Sequence, residues 1–506
     1  MATLKKLAVC LALTITTTFG PTLAATITRL VPFTATTGGD PLAPLLQASD
    51  GNFYGTTAQG GDDGLGCAQP CNGTVFKLTP QGQLTVLHTF AYESSAAPYG
   101  NGSEPEGGLV EGPDGWLYGT TYMGGVPHSD GIVYKISKTG QFQKLYDFCS
   151  TTPCSDGANP QGSLAFGADG YLYGVTTSPI INPYLFRIST SGAYTALYGL
   201  YNTGLGTPSN GLILGSDRNL YGLAAGGVYE ITRGGALQIV HLFGTGEGFY
   251  GTGPLIEGVD GRLYGATYQG GAANVGIIFA VDRDGNNYQR ILDLTTAAEG
   301  QRPNGVVQTA DQNLWDTTTG GGTQSGGMVF SINTSGTLLQ SASFTVDTGK
   351  FVMDSLVQAS DGKLYGTASS SGPSGYGTVF IVDGGLTPPA PGEAAVSEAM
   401  IVTAYNKATG DITVSYGSAC FATDHHIVYG PLSSVSTYGY SGQACGVGNH
   451  GTATFNPGAG SFFWVIVGNT PTLEGSYGKA SGGGERPEAI GLPGCDYPQN
   501  LSGGCP

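Results

Sequence analysis

Charge is what this chain has least of. Only 11% of its 506 residues are charged, and 36 acidic residues against 19 lysines and arginines give a formal charge of −17. We do not expect so acidic a chain to bind nucleic acid or an anionic membrane surface, because both are themselves negative. With few charges available, neutral polar groups must cover most of the surface, which suits contact with neutral polar ligands.

Long apolar runs are also missing. No stretch approaches the roughly 18 apolar residues that a membrane-spanning helix needs, so we predict no membrane span. The sequence contains no Gly-x-Ser-x-Gly elbow, no phosphate-binding P-loop and no His-Glu-x-x-His zinc motif. These absences argue against three common enzyme classes and leave binding proteins, glycan-active enzymes and structural proteins open.

The N-terminus has the pattern of a secretory signal over residues 1–25. Lys5 and Lys6 form the charged region, an apolar stretch begins at Leu7, and small residues around Ala24 provide a cleavage site. Loss of this segment removes two lysines and takes the formal charge from −17 to −19. We therefore predict a secreted protein, extracellular or periplasmic.

Cysteine is scarce, but its spacing is informative. One of the nine cysteines leaves with the signal, and the other eight form four pairs close in sequence, as expected for disulfides in an oxidising compartment. A zinc site built from the first four is the alternative. We predict no cofactor and no resident metal, with a structural cation left open. The predicted disulfides are Cys67 with Cys71, Cys149 with Cys154, Cys420 with Cys445, and Cys495 with Cys505.

What the chain does have is a repeat. Residues 114–121 read Asp-Gly-Trp-Leu-Tyr-Gly-Thr-Thr, and variants of this motif give seven copies at intervals of 64, 55, 48, 43, 51 and 50 residues. The glycine after the tyrosine is present in six copies, and the Asp311 copy has Leu314-Trp315-Asp316 there. Each unit holds four short apolar segments between turn residues, which is typical of a β-propeller. The glycine after the tyrosine predicts a close approach between neighbouring blades. The copies begin at Asp50, Asp114, Asp169, Asp217, Asp260, Asp311 and Asp361.

The two ends of the repeat region predict how the ring closes. The seventh copy stops after its third strand, at residues 377–382, and is followed by Pro-rich sequence. Residues 27–33 resemble the fourth strand of the first copy, residues 84–90. We predict that this N-terminal strand completes the last blade, because closure protects the strand edges. An unpaired N-terminal arm is the alternative.

The predicted fold is therefore all-β, with a seven-bladed β-propeller over residues 26–385. A Pro-rich linker covers residues 386–394. Residues 395–491 contain further strand patterns separated by turns, which predict a small β-sandwich of fibronectin-III or immunoglobulin type. Residues 492–506 form a tail held by the last cysteine pair.

The repeat resembles a known family. The pattern Asp-Gly-x-Leu-Tyr-Gly-Thr-Thr-x-x-Gly-Gly, followed by Gly-Thr-Val-Phe as at residues 73–76 and 377–380, is similar to the GloVer tandem repeat of bacterial secreted and surface proteins. The resemblance covers residues 40–382 and implies export and a propeller-like body. It carries no assigned catalytic residues, so candidate residues must come from the predicted fold.

Long loops predict the functional face of the propeller. In a four-stranded blade, the loop between strands two and three lies on the same face as the link from strand four to the next blade. Both kinds of segment are long in this sequence, and loops carry binding and catalytic residues in such scaffolds. The opposite face has tight Asp-Gly turns. Candidate catalytic residues on the long-loop face are Tyr122, His128, Tyr268, Arg302, Glu106 and Glu247, and candidate ligand-binding residues are Tyr99, Asp130, Glu104 and Tyr250.

Three functions fit this pattern. The first is a monomer that binds an extracellular polysaccharide or another polar ligand. The second is a structural surface protein. The third is a polysaccharide-degrading enzyme, either a lyase or a glycosidase. A lyase needs a cation and proton-transfer groups, whereas a glycosidase needs two carboxylates about 5 to 9 Å apart. A lyase would use Arg302, Tyr122, His128 and Tyr268, and a glycosidase would pair Glu106 with Glu247.

Overall fold

Seven antiparallel sheets form a β-propeller in the computed structural model, and the described residues contain strands but no helix. The prediction of an all-β, seven-bladed propeller is confirmed. The described part of the chain accordingly holds no helix that could span a membrane. The structure describes residues 25–62, 72–90, 100–150, 153–178, 182–295 and 300–388, and then 401–406, 411–416, 424–431, 442–444, 451–457 and 462–469.

The innermost strands surround the propeller axis and approach each other closely. A Cβ atom on Gly107 would lie 2.4 Å from the carbonyl oxygen of Gly162 in the next blade, so glycine is required at this approach. Blades 6 and 7 have inner strands in two parts. From blade 1 to blade 7, the inner strands are Leu46–Gln47, Val110–Glu111, Pro160–Phe166, Pro208–Leu214, Phe249–Glu257, Gln301–Pro303 with Val307–Gln308, and Lys350–Val352 with Val357–Gln358.

The second strand carries the repeat motif, and its first five residues are buried in every blade. In blade 2, the Tyr118 hydroxyl donates a 2.7 Å hydrogen bond to Asp114 of the turn. A Cβ on Gly119 would lie 2.6 Å from the Tyr134 hydroxyl oxygen, so this glycine makes room for a ring of its own blade. The prediction that it serves contact between blades is wrong. The second strands are Phe53–Thr57, Leu117–Thr121, Leu172–Thr176, Leu220–Ala224, Leu263–Gln269, Leu314–Gly320 and Leu364–Ser370.

The third and fourth strands complete each blade. Aromatic side chains of adjacent outer strands stack across the blade boundary, as Tyr146 does on Tyr194 with ring centroids 4.1 Å apart. These stacks join neighbouring blades at the rim. The third strands are Thr74–Leu78, Ile132–Ile136, Tyr184–Ile188, Gly227–Ile231, Ile277–Val281, Met328–Ile332 and Thr378–Asp383, and the outer strands are Leu84–Thr89, Phe142–Asp147, Tyr194–Gly199, Leu237–Leu242, Gln289–Asp293, Leu338–Ser343 and Thr26–Pro32.

The outer strand of blade 7 comes from the start of the described chain. Thr26–Pro32 pairs antiparallel with Thr378–Asp383, with a register shift between Arg29 and Val31. Phe33 follows this strand, is fully buried, and packs edge-on against Phe76 of blade 1 at a centroid distance of 5.2 Å. The chain therefore passes directly from the outer strand of blade 7 into blade 1, and these two blades share a buried core.

The C-terminal region contains two further three-stranded antiparallel sheets. One buried cluster includes Val414 and Phe455 from the first sheet and Ile427 from the second, so the two sheets pack against each other. The predicted sandwich family stays a prediction. The first sheet consists of Ile401–Asn406, Asp411–Tyr416 and Gly451–Phe455, and the second of Gly442–Ala444, Asp424–Pro431 and Phe462–Asn469.

Candidate functional site

One residue in each blade stands at the entry to the inner strand, ten residues before the motif aspartate in six blades and nine before it in blade 6. Six of these seven residues have φ between +53° and +60°, although none is glycine. Left-handed backbone is disfavoured for residues with a Cβ atom and is concentrated at functional sites. We call this set the funnel ring. It consists of Asp40, Glu104, Asn159, Thr207, Tyr250, Arg302 and Phe351, of which Thr207 alone is not left-handed.

Hydrogen bonds place the funnel ring on the long-loop face. The backbone N–H of Glu104 donates to the carbonyl of Asn72, which ends the loop between strands two and three of the preceding blade, at 2.8 Å. The same bond runs from Phe351 to Gly326 at 3.0 Å. All six left-handed ring residues make this bond to the segment between strands two and three of the preceding blade. Because inner strands converge on the axis in a propeller, we infer that the ring lies around the mouth of the central channel.

One side of the mouth is acidic. Glu106 accepts a 2.9 Å hydrogen bond from Gln161 of the next blade, and burial raises its pKa to about 6, with Glu104 and Asp40 adding to the rise. The pKa of Tyr122 is raised by burial and then by Glu106 and Glu104. The predicted residues Glu104, Glu106 and Tyr122 thus lie within one electrostatic cluster. We call Asp40, Glu104 and Glu106 the acidic arc.

The raised pKa of Glu106 predicts a pH dependence of stability. The carboxyl has a higher pKa in the folded chain than its ordinary value of 4.5, so ionisation disfavours the folded state. The destabilisation caused by ionisation of Glu106 is absent below pH 4.5 and complete above pH 6. Glu106→Gln cannot ionise and should gain thermal stability over the wild type as pH rises through this window. Unfolding midpoints at pH 4, 5, 6 and 7 check this, and a constant difference would contradict it.

The part of the ring in blades 5 to 7 is aromatic. Tyr250 is 50% exposed, and its ring contacts Phe249 edge-on at 4.2 Å between centroids. The guanidinium of Arg302 lies 4.7 Å from the ring centroid of Tyr268, in a cation–π contact. Phe351 is exposed by 43%. We call Tyr250, Phe249, Tyr268 and Phe351 the aromatic arc.

Comparison with known proteins identifies the repeat. The model of the Gloeobacter/Verrucomicrobia repeat matches residues 15–182 and 224–388. The chain belongs to this family. The residues between the two matches include the inner strand of blade 4. In the same blade, the loop between strands two and three is reduced to Ala225 and Gly226. No curated protein matches the chain.

Solved structures share the propeller architecture with this Gloeobacter/Verrucomicrobia repeat protein at low identity. Virginiamycin B lyase from Staphylococcus aureus is 15% identical, with a TM-score of 0.48, over 71% of this chain and 98% of the lyase. Aldose sugar dehydrogenase from Streptomyces coelicolor, in its PQQ-bound form, is 14% identical, with a TM-score of 0.38, over 71% of this chain and 98% of that one. Similarity this distant says nothing about activity.

Two predicted residues of the repeat protein, Glu247 and His128, belong neither to the funnel ring nor to either arc. Glu247 accepts a 2.7 Å hydrogen bond from the Gly244 N–H and lies 2.9 Å from His241 of the blade 4 outer strand. No described contact joins Glu247 to Glu106, so the glycosidase pair stays a prediction without support. His128 is exposed in the blade 2 loop.

Asp130 ends the blade 2 loop, and its carbonyl accepts a 2.7 Å bond from the ring residue Asn159. Burial raises the pKa of its carboxyl. Asp130 also lies near the sulfurs of Cys149 and Cys154, which form a disulfide as predicted and so offer no thiolate for zinc. The remaining predicted residues lie outside the described ones. They are Tyr99, Cys67, Cys71, Cys420, Cys445, Cys495 and Cys505.

Sequence reasoning missed part of the ring, although a signal was present. Asp40, Asn159 and Phe351 each stand ten residues before a motif aspartate, as Glu104 does. Counting back from every motif would have identified them together.

Proposed function

We propose that this protein binds an uncharged, hydroxyl-rich polysaccharide at the mouth of its central channel. The observation that carries the proposal is the funnel ring, because six strained residues at equivalent positions present polar and aromatic side chains around one opening. Concave openings with a few convergent polar groups are the usual places for ligand binding.

The two arcs match the chemistry of a sugar. Carboxylates accept hydrogen bonds from neighbouring hydroxyl groups, and Glu104 and Glu106 supply such acceptors. Aromatic rings pack against the apolar C–H face of a pyranose, and Tyr250 and Phe351 supply exposed rings. The acidic arc and the formal charge of −17 both repel uronate polymers, which supports an uncharged ligand over an acidic one.

Hydrolysis is the alternative function, and one observation favours it. A carboxyl whose pKa is about 6 is largely protonated in mildly acidic solution, so Glu106 can serve as a general acid there. Glu104 lies near enough to affect that pKa and could supply the second carboxylate. A lyase has less support, because a uronate substrate would approach Glu104 and Glu106 as well as Arg302.

A polysaccharide panel separates these possibilities. The full chain is run through gels that contain neutral glucan, mannan or xylan, acidic alginate or pectin, or cationic chitosan. We expect retardation by at least one neutral polymer, no release of reducing ends and no absorbance from unsaturated uronates. Release of reducing ends that Glu106→Gln abolishes would favour the hydrolase. Retardation by alginate or pectin alone, or by no polymer, would contradict the proposal.

We also propose that the mature chain is exported and acts as a monomer. The signal-like N-terminus and the disulfide between Cys149 and Cys154 support export. Cleavage after Ala24 or Ala25 would leave the strand Thr26–Pro32 complete for blade 7. N-terminal sequencing of protein secreted by a bacterial host, followed by size-exclusion chromatography with light scattering, checks both points.

A further inference from the structure

Blade 6 departs from the repeat in two linked ways. Its inner strand is one residue shorter, since Arg302 stands nine residues before Asp311, and Asp316 replaces the motif glycine. In blade 2, a Cβ on that glycine would lie 2.9 Å from a methyl carbon of Leu109, whereas blade 6 has the smaller Val306 at the matching position, just before its strand Val307–Gln308. The smaller side chain therefore leaves space that leucine fills in blade 2.

One oxygen of Asp316 compensates for the missing residue. Its Oδ1 atom accepts backbone hydrogen bonds from Asn304 and Gly305 at 3.1 Å each, and from Thr317 at 2.6 Å. These bonds satisfy N–H groups where the blade 6 inner strand is interrupted. Asparagine could accept the same bonds through its amide oxygen, so this role alone does not require a carboxylate.

The other oxygen of Asp316 has no such role. The side chain is 0% exposed, and no described residue supplies a hydrogen-bond partner to Oδ2. An ionised oxygen there lacks a donor, and a protonated one lacks an acceptor, so both forms are costly in a buried site. Buried charges in proteins are paired or coordinate metal ions.

A second buried carboxyl belongs to the adjoining segment of blade 7. Asp354 is 8% exposed, its backbone carbonyl accepts a 3.5 Å hydrogen bond from the Thr317 hydroxyl, and its Oδ1 atom accepts a 2.6 Å hydrogen bond from the Ser355 N–H. The charge of Asp354 adds to the effect of burial in raising the pKa of Asp316 to about 7. None of the ion pairs within the described residues includes either aspartate. Two interacting acidic groups are thus buried at this blade boundary without a described protein cation.

We propose that Asp316 and Asp354 together bind one divalent cation of the calcium type between blades 6 and 7. Calcium takes six to eight oxygen ligands, including carboxylates, carbonyls and water, and Asp316 Oδ2 together with the Asp354 carboxyl would supply the carboxylate oxygens. The ion would neutralise two buried charges at once and join blade 6 to blade 7 near the axis. This role is independent of ligand binding at the mouth of the channel.

Calcium titration of the full chain tests the site. After treatment with EDTA and removal of the chelator, isothermal titration should show one Ca²⁺ ion bound per chain and a rise in the unfolding midpoint with Ca²⁺. Asp316→Asn and Asp354→Asn should each weaken binding at least tenfold. Asp361→Asn removes the same charge from the blade 7 turn and should leave binding unchanged.

Two results would overturn the proposal. One is a wild-type chain that neither binds Ca²⁺ nor changes its unfolding midpoint, which decides the matter even if both variants fail to fold. The other is binding that persists at full strength in folded Asp316→Asn and Asp354→Asn, which would place the ion elsewhere, for instance at the acidic arc.

Discussion

Phe33→Ala is expected to lower the free energy of unfolding by about 3–5 kcal/mol, because truncation of a buried aromatic side chain loses its transfer energy and leaves a cavity. Phe33 is fully buried and packs on Phe76 of blade 1, while the strand before it completes blade 7. The change should therefore loosen the junction between the first and last blades. Urea unfolding monitored by circular dichroism gives the magnitude.

A matched variant separates the junction from ordinary core packing. Phe148 follows the outer strand of blade 2, is buried, and packs on Phe186 of blade 3 at a centroid distance of 5.1 Å. Phe148→Ala should cost a similar amount of stability. Hydrogen exchange in Thr378–Asp383, the partner of the N-terminal strand, should accelerate more in Phe33→Ala than in Phe148→Ala. Equal acceleration in both variants would contradict a closing role for the N-terminal strand.

Further contacts between blades 7 and 1 support this expectation. Ser360 donates a backbone hydrogen bond to Gln47 at 2.8 Å, and the Gln47 amide returns one to the Ser360 hydroxyl at 3.2 Å. The Thr367 hydroxyl donates to the Ala43 carbonyl at 3.3 Å. Similar bonds join other neighbouring blades, as Thr56 does with Gly107 at 3.1 Å. The junction therefore resembles the other blade boundaries except that its outer strand comes from the other end of the ring.

Tyr250→Ala should weaken polysaccharide binding about thirtyfold, the effect of losing about 2 kcal/mol from a central aromatic contact. The ring is half exposed at the mouth of the channel, and its backbone is held left-handed at φ 55°. Tyr201→Ala is the control, because Tyr201 is 73% exposed but lies outside the funnel ring. Binding is measured by isothermal titration with a soluble fragment of the polymer that the panel selects.

The control decides how this result is interpreted. If Tyr250→Ala and Tyr201→Ala weaken binding equally, the ligand is held by exposed aromatic residues in general and not by the funnel ring. If neither changes binding, the aromatic arc has no part in it. A specific loss in Tyr250→Ala, repeated in Phe351→Ala, is what the proposed site requires.

The large-scale fold could be predicted because the repeat encodes it locally. Each motif contains its own turn aspartate, and six of the seven also contain the buried tyrosine and the glycine, so blade number and strand order follow from counting copies. The incomplete last copy predicted an N-terminal outer strand for blade 7, and Thr26–Pro32 pairs with Thr378–Asp383. The glycine of the motif was misinterpreted, because the space it leaves is filled by a ring from the third strand, which pattern alone does not show.

The candidate site was only partly predictable, because its members meet through tertiary contacts. Glu104, Glu106 and Tyr122 influence one another electrostatically, as predicted residues of one site should. Glu247 instead contacts His241, six residues earlier in the chain. The sequence pattern of a loop does not show whether its carboxylate makes such a local contact or faces the channel. The left-handed backbone of the ring depends on hydrogen bonds to the preceding blade. Asp316 was visible as a departure from the repeat, whereas its proximity to Asp354 required the fold.

The most direct test of the proposed binding site is a crystal structure of the full chain with a fragment of the bound polysaccharide. The account predicts the sugar at the mouth of the channel, with hydroxyl groups on Glu104 or Glu106 and a pyranose face against Tyr250 or Phe351. A sugar on the opposite face would contradict it, for example in the cleft of about 530 Å³ lined by Asp217, Tyr221 and Arg283.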